Sequence, residues 1–365
     1  MLADSRTRRY AGVLTLLLSV SWMASPQEVR ADCQESGTGI GKEGPFVVHL
    51  MPDCTPAERE ARAVDGAAII EAVAKGRAIE LVGVIVRGEL IFDDLAAQTD
   101  RPAGGTASEE QLAVGRPGME EQRLVREAVA IRDSVVLGAV RHRSAKGTLR
   151  FERSVDVRGT VFKDVVDLSR SQFQGTVALS GATFEKEAYF VQGQFSQGLA
   201  CDGTKFGRHT RFHRSTFAGP VDCSGARFDG LTEVLEVSFE QPVTFERVRF
   251  GLGTGFSGSR FKQRGMFDEA IFSRDAFFGF TVFEGDVSFA GAQFLGKADF
   301  SDAWFAKPDD LAKARFDQPP SLTTTRRLVQ DRPVEFMNSP AVQYVLTVLC
   351  LIAAGILVGY AFKRK

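Results

Sequence analysis

The side chains with the most potential for chemistry in this sequence are its histidines and the arginines beside them. Four histidines occur, at positions 49, 142, 209 and 213. None belongs to an HExxH motif, and the chain has no paired CxxC motif and no nucleophile elbow. His209 and His213 lie among Arg208, Arg211 and Arg214, the densest basic cluster of the repeat region. This cluster either contacts an anionic ligand such as an acidic polysaccharide or forms an ordinary solvated face.

Other patterns that could support catalysis or binding are weaker. His209 and His213 are four residues apart in a segment without helical periodicity, which does not favour a metal site. The glycines of residues 251–255 lack the strand-to-helix context of a phosphate loop. Acidic residues are scattered, so no carboxylate pair stands out for acid–base catalysis. The sequence therefore predicts no catalytic residue, no cofactor, no metal site and no enzymatic activity.

Composition points to a repeating architecture. The 365 residues include 45 Lys and Arg against 46 Asp and Glu, a balance that argues against a nucleic-acid partner. Phe occurs 30 times, whereas Trp and Tyr together occur six times. An aromatic content this skewed indicates one fixed position in a repeated unit.

Phenylalanine follows an 11-residue lattice without a gap. The sixteen positions, which we predict to be the structural core, are Phe151, Phe162, Phe173, Phe184, Phe195, Phe206, Phe217, Phe228, Phe239, Phe250, Phe261, Phe272, Phe283, Phe294, Phe305 and Phe316. A second lattice, six residues further on, is apolar or Cys at every step from Val157 to Phe300. Small or β-branched residues such as Ala182 and Thr204 stand two positions before most lattice sites.

This spacing excludes a helix and an ordinary sheet. A helical stripe needs further apolar residues at i+3, i+4 and i+7, and polar triplets interrupt the pattern too often for long strands. Short straight sides that each place one large and one small residue inward satisfy the pattern. Such sides would form coils stacked about 4.8 Å apart by backbone hydrogen bonds.

The runs at residues 287–294 (VSFAGAQF) and 298–305 (ADFSDAWF) resemble pentapeptide-repeat proteins. The resemblance covers residues 151–316. It implies an all-β solenoid, a right-handed quadrilateral parallel β-helix with roughly 22-residue coils. The chain departs from the family pattern by one extra residue in every second unit, near glycines such as Gly230 and Gly285. That departure leaves 11-residue coils as an alternative.

Two cysteines bear on the coil size. Cys201 and Cys223 lie on the second lattice, two lattice steps apart. With 22-residue coils they would stack one coil apart, at a Cα separation of about 4.8 Å that permits a disulfide. With 11-residue coils the separation would be about 9.6 Å, too long for a bond. Two buried free thiols are the alternative.

The ends of the chain predict export and membrane attachment. Basic residues precede an apolar stretch at 11–24, and Val29-Arg30-Ala31 fits a signal-peptide cleavage site. In an exported chain, Cys33 and Cys54 are predicted to form a disulfide. Residues 341–362 are uncharged and would rise about 33 Å as a helix, enough to cross a bilayer. The basic residues after them predict a cytoplasmic C-terminus.

Between these ends, Thr55 and Pro56 predict the start of a helix that runs to Lys75 and ends at Gly76. By resemblance to the family, this helix would cap the open end of the solenoid. The predicted organisation is a signal peptide at 1–31, an N-terminal segment with the capping helix at 32–78, a first coil at 79–95, a flexible insertion at 96–123, the β-helix at 124–316, a stalk at 317–340, one transmembrane helix at 341–362 and a cytoplasmic tail at 363–365.

These features favour a non-catalytic, membrane-tethered scaffold of the bacterial cell envelope that binds a protein or a glycan. An accessory or sensor subunit of a membrane complex is the alternative, and a glycan-active β-helix enzyme is a distant one. Export and balanced charge argue against the DNA mimics known in the family. The expected location is a single-pass membrane protein with its ectodomain in the periplasm or on the cell surface.

Overall fold

Backbone hydrogen bonds arrange the chain into four sheets that run side by side. The structure, a computed structural model, describes residue 33 and residues 44–99, 121–142 and 147–327. Each coil visits the four sheets in turn, and we call them faces 1 to 4. Successive coils pair in parallel, and face 1 has ten strands. The protein is thus a parallel β-solenoid of about ten coils.

The strands are short, most of them two residues long. Face 1 contains Phe46–His49, Ile79–Val82, Val129–Arg132, Val155–Asp156, Val177–Ala178, Leu199–Ala200, Val221–Asp222, Val243–Thr244, Gly265–Met266 and Val287–Ser288. Face 2 contains Val64–Asp65, Ile85–Arg87, Val135–Val136, Val161–Phe162, Thr183–Phe184, Lys205–Phe206, Arg227–Phe228, Arg249–Phe250, Ile271–Phe272, Gln293–Phe294 and Arg315–Phe316. Face 3 contains Leu90–Ile91, Val140–Arg141, Val166–Asp167, Ala188–Tyr189, Thr210–Arg211, Thr232–Glu233, Thr254–Gly255, Ala276–Phe277 and Ala298–Asp299. Face 4 contains Ala97–Thr99, Glu121–Val125, Gly147–Phe151, Ser171–Phe173, Gln194–Phe195, Thr216–Phe217, Ser238–Phe239, Arg260–Phe261, Val282–Phe283, Trp304–Phe305 and Arg326–Arg327.

Strand register fixes the length of the coil at two steps of the phenylalanine lattice. Phe151 pairs with Phe173, and Phe173 pairs with Phe195. The two 11-residue lattices therefore separate into four inward columns, one for each face. The register confirms the 22-residue coil and excludes the 11-residue alternative.

The inward columns are stacks of aromatic rings with small residues beside them. Phe184, Phe206 and Phe228 stack with ring centroids 5.0 and 4.6 Å apart. At several coils the small residue is polar and its hydroxyl donates to a backbone carbonyl, as at Thr204, Ser215 and Ser259. The buried Ser215 hydroxyl donates to the Phe190 carbonyl at 2.7 Å and accepts from the Gly193 amide at 2.9 Å. These hydroxyls therefore avoid the cost of an unpaired buried polar group.

The corners explain the recurring glycines. A Cβ added at Gly230 would lie 2.2 Å from the carbonyl carbon of Arg208 in the preceding coil, so the backbones approach too closely for a side chain. Other corners need a positive φ, a conformation that glycine adopts without strain. Gly225 has φ 65°, whereas Arg247 adopts φ 53° at the same corner one coil later.

The solenoid begins one coil earlier than the predicted boundary at residue 79. Phe46–His49 pairs in parallel with Ile79–Val82, and Val64–Asp65 pairs with Val86–Arg87. The early coil is hidden in the sequence because helical segments interrupt it. Its strands obey the pairing rule of the later coils without their phenylalanine lattice.

The helix predicted to run through residues 57–75 is divided into two. Helix α1 spans Pro56–Ala61 and begins with a capping box formed by Thr55 and Glu58. Helix α2 spans Gly66–Ala74 and begins at Asp65, whose carboxylate accepts the Ala67 amide at 2.9 Å. The chain must extend between them because Val64–Asp65 joins face 2.

The insertion and the C-terminal boundary also differ from the prediction. Ala97–Thr99 pairs antiparallel with Glu121–Arg123, so both ends of the 96–123 segment join face 4. Arg326–Arg327 pairs with Trp304–Phe305, so the solenoid extends into the segment predicted as a stalk at 317–340. Short 3-10 helices span Phe92–Asp94 and Leu311–Lys313.

The predicted signal peptide, transmembrane helix and basic tail lie outside the described residues. Within residues 33, 44–99, 121–142 and 147–327, no helix has the length and apolar character needed to cross a membrane.

Candidate interaction surface

The basic cluster identified in the sequence lies on face 3 and at its borders. Arg211 hydrogen-bonds through Nε to the Glu233 carboxylate in the next coil, and His209 Nε2 lies 3.4 Å from the same carboxylate. Tyr189, one coil before Arg211, contacts the His209 ring edge-on at a centroid distance of 5.7 Å. The Arg211 guanidinium lies 5.9 Å from the centre of the Tyr189 ring.

Charge and burial shift the pKa values of two side chains in this cluster. Partial burial opposes ionisation of Glu233, but the hydrogen bond and charge of Arg211, together with His209, hold its pKa below the ordinary value. Burial, followed by the charge of Glu187, raises the pKa of Tyr189. Glu233 is therefore a carboxylate and Tyr189 a neutral phenol at physiological pH.

Carboxylates of neighbouring coils neutralise the cluster. Arg214 pairs with Glu236 at 2.8 Å, and Arg208 lies 4.0 Å from Glu187. Since Arg211 is also paired, the three arginines do not form an unopposed anion site. Of the two sequence interpretations, this geometry favours the solvated face.

Ion pairs between neighbouring coils recur on the outer surface. Lys163 pairs with Glu185 at 2.5 Å, and Lys262 pairs with Glu240 at 2.6 Å, each pair one coil apart. Exposed pairs of this kind are worth about 0–1 kcal/mol each. They align neighbouring coils and leave few charged groups unpaired along these columns.

One column on face 2 departs from this pattern. Lys205, Arg227 and Arg249 stack in register, as their spacing in the sequence indicates. Lys205 and Arg227 share Asp229, each at 3.6 Å. Like charges in register oppose strand pairing, and the shared carboxylate reduces that cost.

A shallow apolar recess lies on face 1. It is lined mainly by backbone and small side chains, with Ala178, Ala200, Pro220, Pro242 and Met266 contributing apolar surface. The recess spans several coils and contains no grouping of nucleophile, base and oxyanion donor.

The predicted core phenylalanines all point inward. Fifteen of the sixteen are buried, and Phe316, in the last coil of face 2, is partly buried against the same core. The structure joins Cys33 to Cys54 by a disulfide, with their Cα atoms 5.4 Å apart. It also joins Cys201 to Cys223 across adjacent coils, with a Cα separation of 4.4 Å.

Among the described ranges, no group of three or more His, Cys, Asp or Glu side chains has the arrangement of a metal site. His209 and His213 in particular do not converge on a common metal position, since His209 faces Glu233.

Sequence reasoning missed the exposed aromatics on the C-terminal coils. Phe277, Phe280 and Trp304 point outward, although the lattice phenylalanines of the repeat occupy the core. The signal was available in the pair Phe277-Phe278, because adjacent residues of a strand face opposite sides. Phe278 is the inward member, and Phe277 must therefore be exposed.

Four parallel sheets around a core of stacked rings define this protein as a quadrilateral β-solenoid. Residues 267–315 match the family model described as pentapeptide repeats (9 copies). This match and the continuous 22-residue register beyond it support a pentapeptide-repeat protein. No curated protein and no solved structure matches the chain.

Proposed function

We propose that this protein is a non-catalytic scaffold of the bacterial cell envelope that binds a partner through its regular outer faces. The proposal rests on how the side chains are divided between the core and the outer faces. Inward residues fill one continuous core, and many outward charges are held in inter-coil ion pairs such as Lys262–Glu240. Such a surface is fixed in shape along its length, as a binding surface requires.

The proposal includes a membrane tether, with the solenoid outside the cytoplasm. Its support is the sequence: the uncharged stretch at 341–362 and the basic residues after it. The two disulfides are consistent with an oxidising compartment.

Protease treatment of spheroplasts tests this topology. One tag is placed after Lys365 and another within residues 100–120, with lysed cells as the control for tag accessibility. We expect the internal tag to be digested while the C-terminal tag remains on a membrane-retained fragment. An internal tag protected until lysis would place the solenoid in the cytoplasm and refute the envelope location.

Detergent purification then separates a tethered scaffold from an accessory subunit. A scaffold is expected to elute without a stoichiometric membrane-embedded partner. Stable co-purification with such a partner would favour the accessory or sensor role instead.

A further inference from the structure

An exposed aromatic corner lies between faces 3 and 4 in the C-terminal coils. We define it by Leu235, Phe277, Phe280 and Trp304. Phe277, Phe280 and Trp304 are 43, 67 and 44 % exposed, and Leu235 is half-buried over Gly255. Large apolar side chains rarely cluster on a free surface at this exposure, and aromatic residues are enriched in protein interfaces.

The backbone of Phe280 supplies a second, independent observation. Phe280 adopts φ 58°, and it is the only apolar non-glycine residue with positive φ among the described residues. Equivalent corners elsewhere carry glycine, as at Gly258, or a polar side chain, as at Glu236. A bulky residue in this conformation is strained. Its exposed ring contributes little core burial to offset that strain, so folding does not explain its presence.

The corner also breaks the charge pattern of its own columns. In the coils before Phe277, the same register position holds Arg211 and Glu233, which form an ion pair. The change from charged residues to Gly255 and then Phe277 removes that inter-coil pairing. It leaves an apolar surface near the C-terminal end of face 3.

Three carboxylates border this surface. Asp275 precedes Phe277 by two residues, Asp299 pairs in register with Phe277, and Asp302 follows Phe280 at the same corner one coil later. They accept hydrogen bonds from the Lys297 amide, the Ser301 amide and the Thr324 hydroxyl, respectively. Within the described ranges, no cationic side chain lies within 4.0 Å of any of the three. These three carboxylates are therefore available to cations of a partner, while Arg326 lies in register with Trp304 on the face 4 side.

We propose that the aromatic corner is the docking site for a protein segment that presents apolar side chains flanked by lysine or arginine. The inference rests on the proposed scaffold function and names the chemistry of its partner. Phe280 and Trp304 supply the apolar contacts, and the carboxylates select for positive charge. A second copy of this chain or a glycan would be a different occupant, and the experiment separates these cases.

The chain contains a fluorescent reporter at this corner. Trp22 and Trp304 are its only tryptophans, so Trp22→Phe leaves Trp304 as the sole indole. The full chain in a nonionic detergent is titrated with the capped pentapeptide KLFLK and, separately, with ELFLE. We expect a saturable blue shift of Trp304 emission with KLFLK, at least about fivefold weaker binding of ELFLE, and weakening of KLFLK binding by salt.

Variants separate binding from folding. Phe280→Gly should weaken KLFLK binding at least about fivefold, the effect of losing an interface anchor. The same change should leave the thermal midpoint unchanged or raised, because glycine tolerates the positive φ. Leu137→Ser is the matched control, since Leu137 is 42 % exposed in an N-terminal coil, and it should bind KLFLK like the parent. Replacing both Asp299 and Asp302 by Asn should remove most of the preference for KLFLK.

Several outcomes would overturn the proposal. Equal binding of the two peptides, or parental binding by Phe280→Gly, would show that the corner does not select a basic apolar segment. A shift that depends on protein concentration without peptide would assign the corner to a second copy, and a shift with cellohexaose alone would assign it to a glycan. The titration requires no cellular topology, so its failure is distinguishable from failure of the proposed envelope location.

Discussion

Truncation of one central core ring gives the most direct test of the solenoid's energetics. Phe267 is fully buried and stacks between Phe245 and Phe289, with ring centroids 5.3 and 4.9 Å away. Phe256 and Phe278 contact it edge-on at 5.4 and 5.7 Å. Phe267→Ala therefore removes contacts in three neighbouring coils and opens a cavity on the axis.

The expected cost is at the upper end of the range for buried phenylalanine. Phe→Ala substitutions in cores cost about 3–5 kcal/mol, and each aromatic pair adds about 0.5–1.5 kcal/mol beyond burial. Because Phe267 has six ring partners, including Phe261 and Phe272, we expect a loss of about 5 kcal/mol in the free energy of unfolding. Phe277→Ala, which truncates an exposed ring nearby, should cost less than about 1 kcal/mol.

Guanidinium unfolding followed by far-UV circular dichroism and by tryptophan emission measures both variants. In a stack where each coil contacts only its neighbours, a central cavity can also split the transition, so that Trp304 reports unfolding separately from the N-terminal coils. Equal denaturation midpoints for Phe267→Ala and Phe277→Ala would refute the inward assignment of the lattice.

Three further predictions follow from other parts of the structure. Gly230→Ala should lower the denaturation midpoint, because the added Cβ would collide with the backbone of Arg208. The loss of stability should exceed the roughly 1 kcal/mol of an ordinary Gly→Ala change at a strained turn. Burial lowers the pKa of His142, although Asp93 lies 3.1 Å away and opposes the shift. As the pH falls below about 6.5, the unfolded chain therefore binds a proton before the folded chain does, and the free energy of unfolding should decrease. Melting curves at pH 7.5 and 5.5 should show this decrease for the parent and not for His142→Gln. Thiol titration of the denatured, unreduced chain should count one free thiol, Cys350, since the other four cysteines are in disulfides.

The inward and outward assignment of most side chains could be predicted from the sequence. Successive side chains of a short strand point to opposite sides, and this depends only on neighbouring residues. The order small residue, outward residue, phenylalanine therefore identifies the buried side without knowledge of the fold. Ala182 and Phe184 are both buried as this rule requires, and so are nearly all of the lattice positions. The same rule applied to Phe277-Phe278 identifies one exposed ring.

The first and last strands of the solenoid could not be predicted from the sequence in this way. Phe46–His49 lacks the phenylalanine lattice and is separated from its partner strand by two helices. Its membership in face 1 depends on backbone pairing, which carries no sequence signature of its own. Arg326–Arg327 joins face 4 for the same reason, although its composition resembles a linker.

The sequence by itself determined the repeat, the residues that fill the core and the resemblance to pentapeptide-repeat proteins, because each depends on spacing along the chain. Only the tertiary structure decided which residues become neighbours on the outside. Arg211 meets Glu233, and Phe277 meets Asp299, because a 22-residue coil brings them into register. A coil of another length would bring different outward residues into register. Charge pairing and the aromatic corner are therefore properties of the stacked coils.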